Sequence, residues 1–104
     1  MTEIKKHGSA TIYYKEGKVH REDGPAIIYE NGTKKWYVND LRHREGSPAI
    51  EWADGDRMWF DHDKLHRVNG PAIERKDGNH SWYLNGVEYS YEDFVKEIKA
   101  MKKR

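Results

Sequence analysis

A chain of 104 residues has room for one domain, and with 36% hydrophobic and 36% charged residues it is too polar for an ordinary single-core globule of that size. Without Cys it can hold no disulfide, thiolate metal site or cysteine nucleophile, and the expected setting is the reducing cytoplasm. Net charge is +1, but residues 96–104 hold five basic residues and one acidic, leaving 14 basic and 17 acidic in the body; that is not the uniform basic face of a nucleic-acid binder.

No apolar run approaches the roughly 20 residues of a membrane span, and the opening MTEIKKHGSA lacks the apolar stretch of a signal peptide. Disorder fits poorly, because four Trp, seven Tyr and two Phe recur at regular spacing. The pattern begins with Gly8-Ser9-Ala10-Thr11-Ile12-Tyr13-Tyr14, then Gly17 and Val19, read as a truncated unit (8–19) that copies the first half of a repeat and omits its Trp-Tyr segment.

Three full units follow at a step of 23 residues: 20–42, 43–65 and 66–88. The step relates His20-Arg21, His43-Arg44 and His66-Arg67. It also relates Pro25, Pro48 and Pro71, each followed by Ala-Ile; Gly32, Gly55 and Gly78; and Trp36-Tyr37, Trp59-Phe60 and Trp82-Tyr83. Within a unit, Pro25–Tyr29 is predicted as a short strand whose Pro sits where no ladder donor is lost. Glu30–Thr33 is a Gly-centred turn. Lys35-Trp36-Tyr37-Val38 is predicted as a second strand, rich in residues that suit a pleated surface. Asn39-Asp40, His62-Asp63 and Asn85-Gly86 are two-residue hairpin loops, and Leu41–Arg44 a third short strand. Adjacent Trp and Tyr must point to opposite faces, and periodicity alone leaves open which face is core.

Ser90 before Tyr91-Glu92-Asp93 reads as a helix N-cap with acids in the first turn. Tyr91, Phe94, Val95, Ile98 and Met101 recur at helical spacing, so residues 90–103 are predicted to form a helix lying over the last repeat. The expected fold is mainly β: an elongated antiparallel meander or solenoid of three repeats and a truncated unit, capped by one helix.

The period, the Gly-centred turn and the aromatic strand, as in HREDGPAIIYENGTKKWYVND, resemble the MORN repeat over about residues 8–88. They look closest to a variant seen in uncharacterised proteins of tailed phages and giant viruses. The resemblance implies stacked β-hairpins and a protein-interaction scaffold. It also implies a phage-encoded protein that inhibits a host factor, such as a defence component, in the host cytoplasm.

Arg21, Arg44 and Arg67, with His20, His43 and His66, read in two ways: as a ladder of anion-binding groups, or as structural residues satisfying carbonyls of their own turns. Tyr37, Phe60 and Tyr83 join them as candidate binding residues. Trp36, Trp59, Trp82, the three repeat glycines and prolines, Phe94 and Ile98 are assigned to structure. A zinc site from the three repeated histidines is disfavoured, since units two strands apart lie about 9–10 Å apart. No metal or cofactor is expected. His62-Asp63 with His66 reads as a surface turn. No phosphate-loop, dinucleotide or nucleophile-elbow motif is present, and repetition suits binding better than catalysis. The expectation is therefore a non-enzymatic protein-binding module. The acidic turns Glu22-Asp23, Asp54–Asp56 and Asp61–Asp63 are candidates for engaging a basic surface. The alternatives are nucleic-acid binding through the basic tail and an Arg-aromatic face, and binding of a nucleotide or other small ligand. Pairing of two copies through sheet edges or the helix is left open.

Overall fold

Each 23-residue unit contributes to two ladders that run side by side. The computed structural model describes residues 2–103. Its strands are β1 (Thr2–His7), β2 (Ala10–Lys15), β3 (Lys18–Val19), β4 (Ile27–Tyr29), β5 (Lys34–Lys35), β6 (Tyr37–Val38), β7 (Leu41–Arg42), β8 (Ile50–Glu51), β9 (Arg57–Met58), β10 (Phe60–Asp61), β11 (Lys64–Leu65), β12 (Ile73–Glu74), β13 (Trp82–Leu84) and β14 (Val87–Tyr89), followed by helix α1 (Tyr91–Lys102). The main antiparallel sheet runs β1-β2-β4-β5-β8-β9-β12, with β3 paired to β2. The pairs β6–β7, β10–β11 and β13–β14 are separate hairpins. The molecule measures 44 × 32 × 18 Å, and its radius of gyration of 15.3 Å exceeds the roughly 13 Å of a compact chain of this length.

The turns form where the sequence places them. Both loop residues of each hairpin have positive φ: Asn39 and Asp40 (49° and 69°), His62 and Asp63 (44° and 73°), Asn85 and Gly86 (50° and 82°). That backbone matches the right-handed twist of the flanking strands. In the main sheet, the Gly32 amide donates to Tyr29 (3.0 Å) and the Thr33 amide to Asn31 Oδ1 (2.9 Å), with Gly32 at φ 99°. The later units repeat this at Gly55 and Gly78.

Two expectations are corrected. The predicted continuous strand Lys35–Val38 is broken at Trp36, which belongs to neither β5 nor β6. The Trp36 amide donates across the main sheet to Ala49 (2.7 Å), while its carbonyl accepts the His43 amide in the hairpin row (3.2 Å). Trp59 does the same with Ala72 and His66. The chain changes ladders at the tryptophan, so one residue cannot extend either strand.

The second correction concerns the first unit. The His20 amide donates to Tyr13 (3.0 Å) as His43 does to Trp36, and β2–β3 turn at Glu16-Gly17 with positive φ as β6–β7 turn at Asn39-Asp40. Tyr13-Tyr14 therefore stands where later units have Trp-Tyr, and β1 stands where they have Pro-Ala-Ile. The N-terminal unit carries the second half of a repeat rather than lacking it.

Consecutive hairpins are strapped together by main-chain bonds from the loop: Asp40 to Val19 (2.9 Å), Asp63 to Arg42 (2.8 Å) and Gly86 to Leu65 (2.8 Å). The core lies between sheet and hairpins. Ala49, Ile50 and Phe60 are buried together, with Trp36, Met58 and Leu65 packed against them. Ala26, Ala49 and Ala72 have no exposed surface, which leaves no room for a larger side chain. At the far end, Ser90 caps α1 by accepting the Asp93 amide (3.1 Å), and the helix buries Phe94 against β13 and β14.

Candidate protein-binding face

The repeated arginines are built into the structure. The Arg44 and Arg67 guanidiniums lie 3.8 Å from the ring centres of Trp36 and Trp59, and Arg21 lies 3.9 Å from that of Tyr13. Each arginine follows its ring by eight residues and reaches it across the hairpin. Each donates through Nη1 to the carbonyl of the Pro four residues on: Pro25 at 3.2 Å, Pro48 at 3.1 Å and Pro71 at 3.2 Å. A Cβ on Gly24 or Gly70 would sit 3.1 Å from the guanidinium carbon, whereas the middle unit keeps the same arginine geometry with Ser47 before its Pro. Arg44 pairs with Glu51 (3.2 Å) and Arg67 with Glu74 (2.8 Å). The corresponding residue of the first full unit is Ile28, and Arg21 turns instead to Asp23 (2.9 Å).

The histidines are equally committed. Nδ1 of His20, His43 and His66 accepts the backbone amide 19 residues on, from Asn39 (3.0 Å), His62 (3.1 Å) and Asn85 (2.9 Å). A ring nitrogen that accepts is unprotonated, so a neutral ring carries its proton on Nε2. His20 is buried, and its Nε2 lies 3.4 Å from Glu22 without forming a hydrogen bond. Each His thus holds the hairpin loop of its own unit, and each Arg reaches back to the ring of the preceding one. Of the candidate binding aromatics, Phe60 is corrected to core, at 4% exposure, with Arg42 stacked 4.2 Å above its ring. Tyr37 and Tyr83 are half-buried, and burial pushes the Tyr37 phenol above its ordinary value.

What faces solvent is a row of grooves on the His-Arg side. One, of about 690 Å³, is lined by Arg21, Asp23, Trp36, His43, Glu45 and His62 among others. The next, of about 510 Å³, includes His43, Glu45, Trp59, Asp61, His62 and Arg67. Their rims are acidic: the side chains of Glu22, Asp23 and Glu45 are 76%, 85% and 93% exposed. The arginines point inward, and the carboxylates stand outside.

The middle unit departs from its neighbours here. Asp61-His62 replaces Val38-Asn39 and Leu84-Asn85. The His62 ring stacks on His43 at 4.2 Å between centres, and its Nδ1 lies 2.5 Å from Asp61 Oδ1. That bond, chiefly, holds the Asp61 carboxyl below its ordinary value. His43, Asp61 and His62 offer ligand atoms within 4.8 Å of one another. A metal taking His43 Nδ1 would have to displace the His62 amide, a bond that the other two units keep. His62 lies in an exposed turn, as its sequence context predicts, and its contact with His43 follows from His standing where the flanking units have Asn, 19 residues after a repeated His.

No family model, curated protein or solved structure matches this chain.

Proposed function

We propose that this chain is a non-enzymatic protein-binding module whose grooved His-Arg face receives a basic segment of a partner. The observation that carries this reading is the division of charge on that face. Its guanidiniums are spent on rings, carbonyls and Glu51, Glu74 or Asp23, whereas Glu22 and Glu45 project from the rims. A partner's Lys or Arg meets exposed acids first, at the rims of grooves whose floors hold Trp36 and Trp59 beneath their own arginines. The resemblance to phage repeat proteins supports a narrower version, in which the partner is a host defence factor and binding inhibits it.

The test is affinity capture from bacterial lysate with the wild type and with Glu22→Lys/Glu45→Lys. The reading expects a specific protein that is lost from the double variant and retained by an Arg57→Ala control. Capture unchanged by charge reversal would overturn it. So would tight binding of a random oligonucleotide with a steep salt slope, which would favour a nucleic-acid binder instead.

A further inference from the structure

We infer that two copies of this chain pair head to head through β1, antiparallel about a two-fold axis at Ile4. β1 ends the main sheet: its six residues are all exposed, Ile4 by 60%, and among the described residues no strand lies on its outer side. At the other end the sheet finishes in two-residue β12 and a single bridge, Ile73–Ser81, after which the chain leaves it for β13, β14 and α1, so no strand there matches the length of β1. A six-residue edge therefore finds its equal only in β1 of a second copy, and pairing through it is isologous and finite.

The backbone fixes which registers are possible. The Ser9 carbonyl accepts from Glu30, the Tyr13 amide donates to Ala26 and the Tyr13 carbonyl accepts from His20, so odd residues of β2 face β4 and β3. Even residues of β2 then face β1, where their partners are His7, Lys5 and Glu3. The amides and carbonyls of Thr2, Ile4 and Lys6 are left pointing outward. In an antiparallel pair only outward residues can meet across the hydrogen bonds. That leaves three central alignments.

Side chains choose among them. Centring on Glu3 sets two glutamates face to face, and centring on Lys5 sets two lysines face to face; like charges directly opposite are destabilising. Centring on Ile4 pairs Ile4 with Ile4 of the second copy and Thr2 with Lys6. It also sets Glu3 opposite Lys5 twice, in the non-hydrogen-bonded positions where side chains come closest. About six backbone hydrogen bonds form, two for each outward pair. Edge lysines ordinarily discourage strand addition. Within one copy Lys5 Nζ lies 3.8 Å from Glu3, and the Ile4-centred register alone also sets Lys5 directly opposite Glu3 of the second copy.

The test is sedimentation of the intact chain over a wide concentration range. The expected result is a monomer–dimer equilibrium with no larger species. Ile4→Pro removes an outward amide and no β1–β2 bond, and should leave a folded monomer by circular dichroism. Glu3→Lys and Lys5→Glu should each weaken the dimer about tenfold, since every change acts at both symmetry-related pairs. The double exchange should restore it. A monomer at all concentrations, a dimer indifferent to Ile4→Pro, or a double exchange no better than the singles would each overturn the proposal.

Discussion

At the C-terminal end, Trp82 has no further unit to supply an arginine. Tyr91 of the helix takes the vacant place over it, with ring centres 5.2 Å apart, where Arg44 covers Trp36 and Arg67 covers Trp59. Phe94 then seals β13 and β14. At the N-terminal end, Tyr13 does have its arginine, yet the strand beyond it shows its whole length to solvent. One end is finished by a helix that imitates the next unit. The other is left as a template for one more strand. A stack of units that cannot each bury their apolar faces must be ended somehow, and the two ends show two ways of doing so.

Substitutions that strike the cap should be the most damaging. Phe94→Ala is expected to lose about 3–5 kcal/mol in urea unfolding, the usual cost of removing a buried phenylalanine. A similar truncation of exposed Ile4 at the other end should cost the isolated monomer little. Equal losses would break the comparison. Tyr91→Ala tests whether the ring truly substitutes for an arginine. It should cost about 1 kcal/mol, the range of an aromatic pair, even though Tyr91 is 59% exposed.

Smaller effects sharpen the picture between the ends. Asp63 accepts from the Arg42 guanidinium (2.6 Å) and the Arg42 amide (3.3 Å), and these bonds hold its carboxyl below the ordinary 3.8. A depressed folded value means that the contribution is complete above the ordinary one and is lost as pH falls through the folded one. Asp63→Asn should therefore cost about 0.5 kcal/mol at neutral pH, and the gap should narrow as acid unfolding is carried below the ordinary carboxylate value of 3.8. His62→Asn restores the residue found in the flanking units. It should change stability by under about 0.5 kcal/mol, while removing the stacked His pair from the groove.

Much of this architecture was legible in the chain. The 23-residue step, the Asn-Asp and Asn-Gly loops, the Gly turns and the Ser90 cap depend on local backbone chemistry, which Gly, Asn, Asp and Ser announce. What escaped depends on how one unit is offset against the next. The ladder switch at Trp36 needs a partner amide or carbonyl on each side, from Ala49 and His43. Matching Gly8 to the Gly before Pro misaligns the first unit; the 23-residue step carries Trp36-Tyr37 back to Tyr13-Tyr14, and the His20 bond and the Glu16-Gly17 turn bear out that register. The site was half visible. The His-Arg pairs were found, and both readings of them were open. That each guanidinium is enclosed by a ring and a proline carbonyl, with the rim left to Glu22 and Glu45, follows from contacts that no spacing encodes.

The account turns on whether the arginine ladder holds the repeats together or waits for a ligand, and the unfolding free energy of Arg44→Ala decides this most directly. A guanidinium stacked on Trp36 and bonded to Pro48 and Glu51 should cost about 2 kcal/mol or more when removed, with no partner present. A variant as stable as the wild type would contradict the account and return the ladder to the binding face.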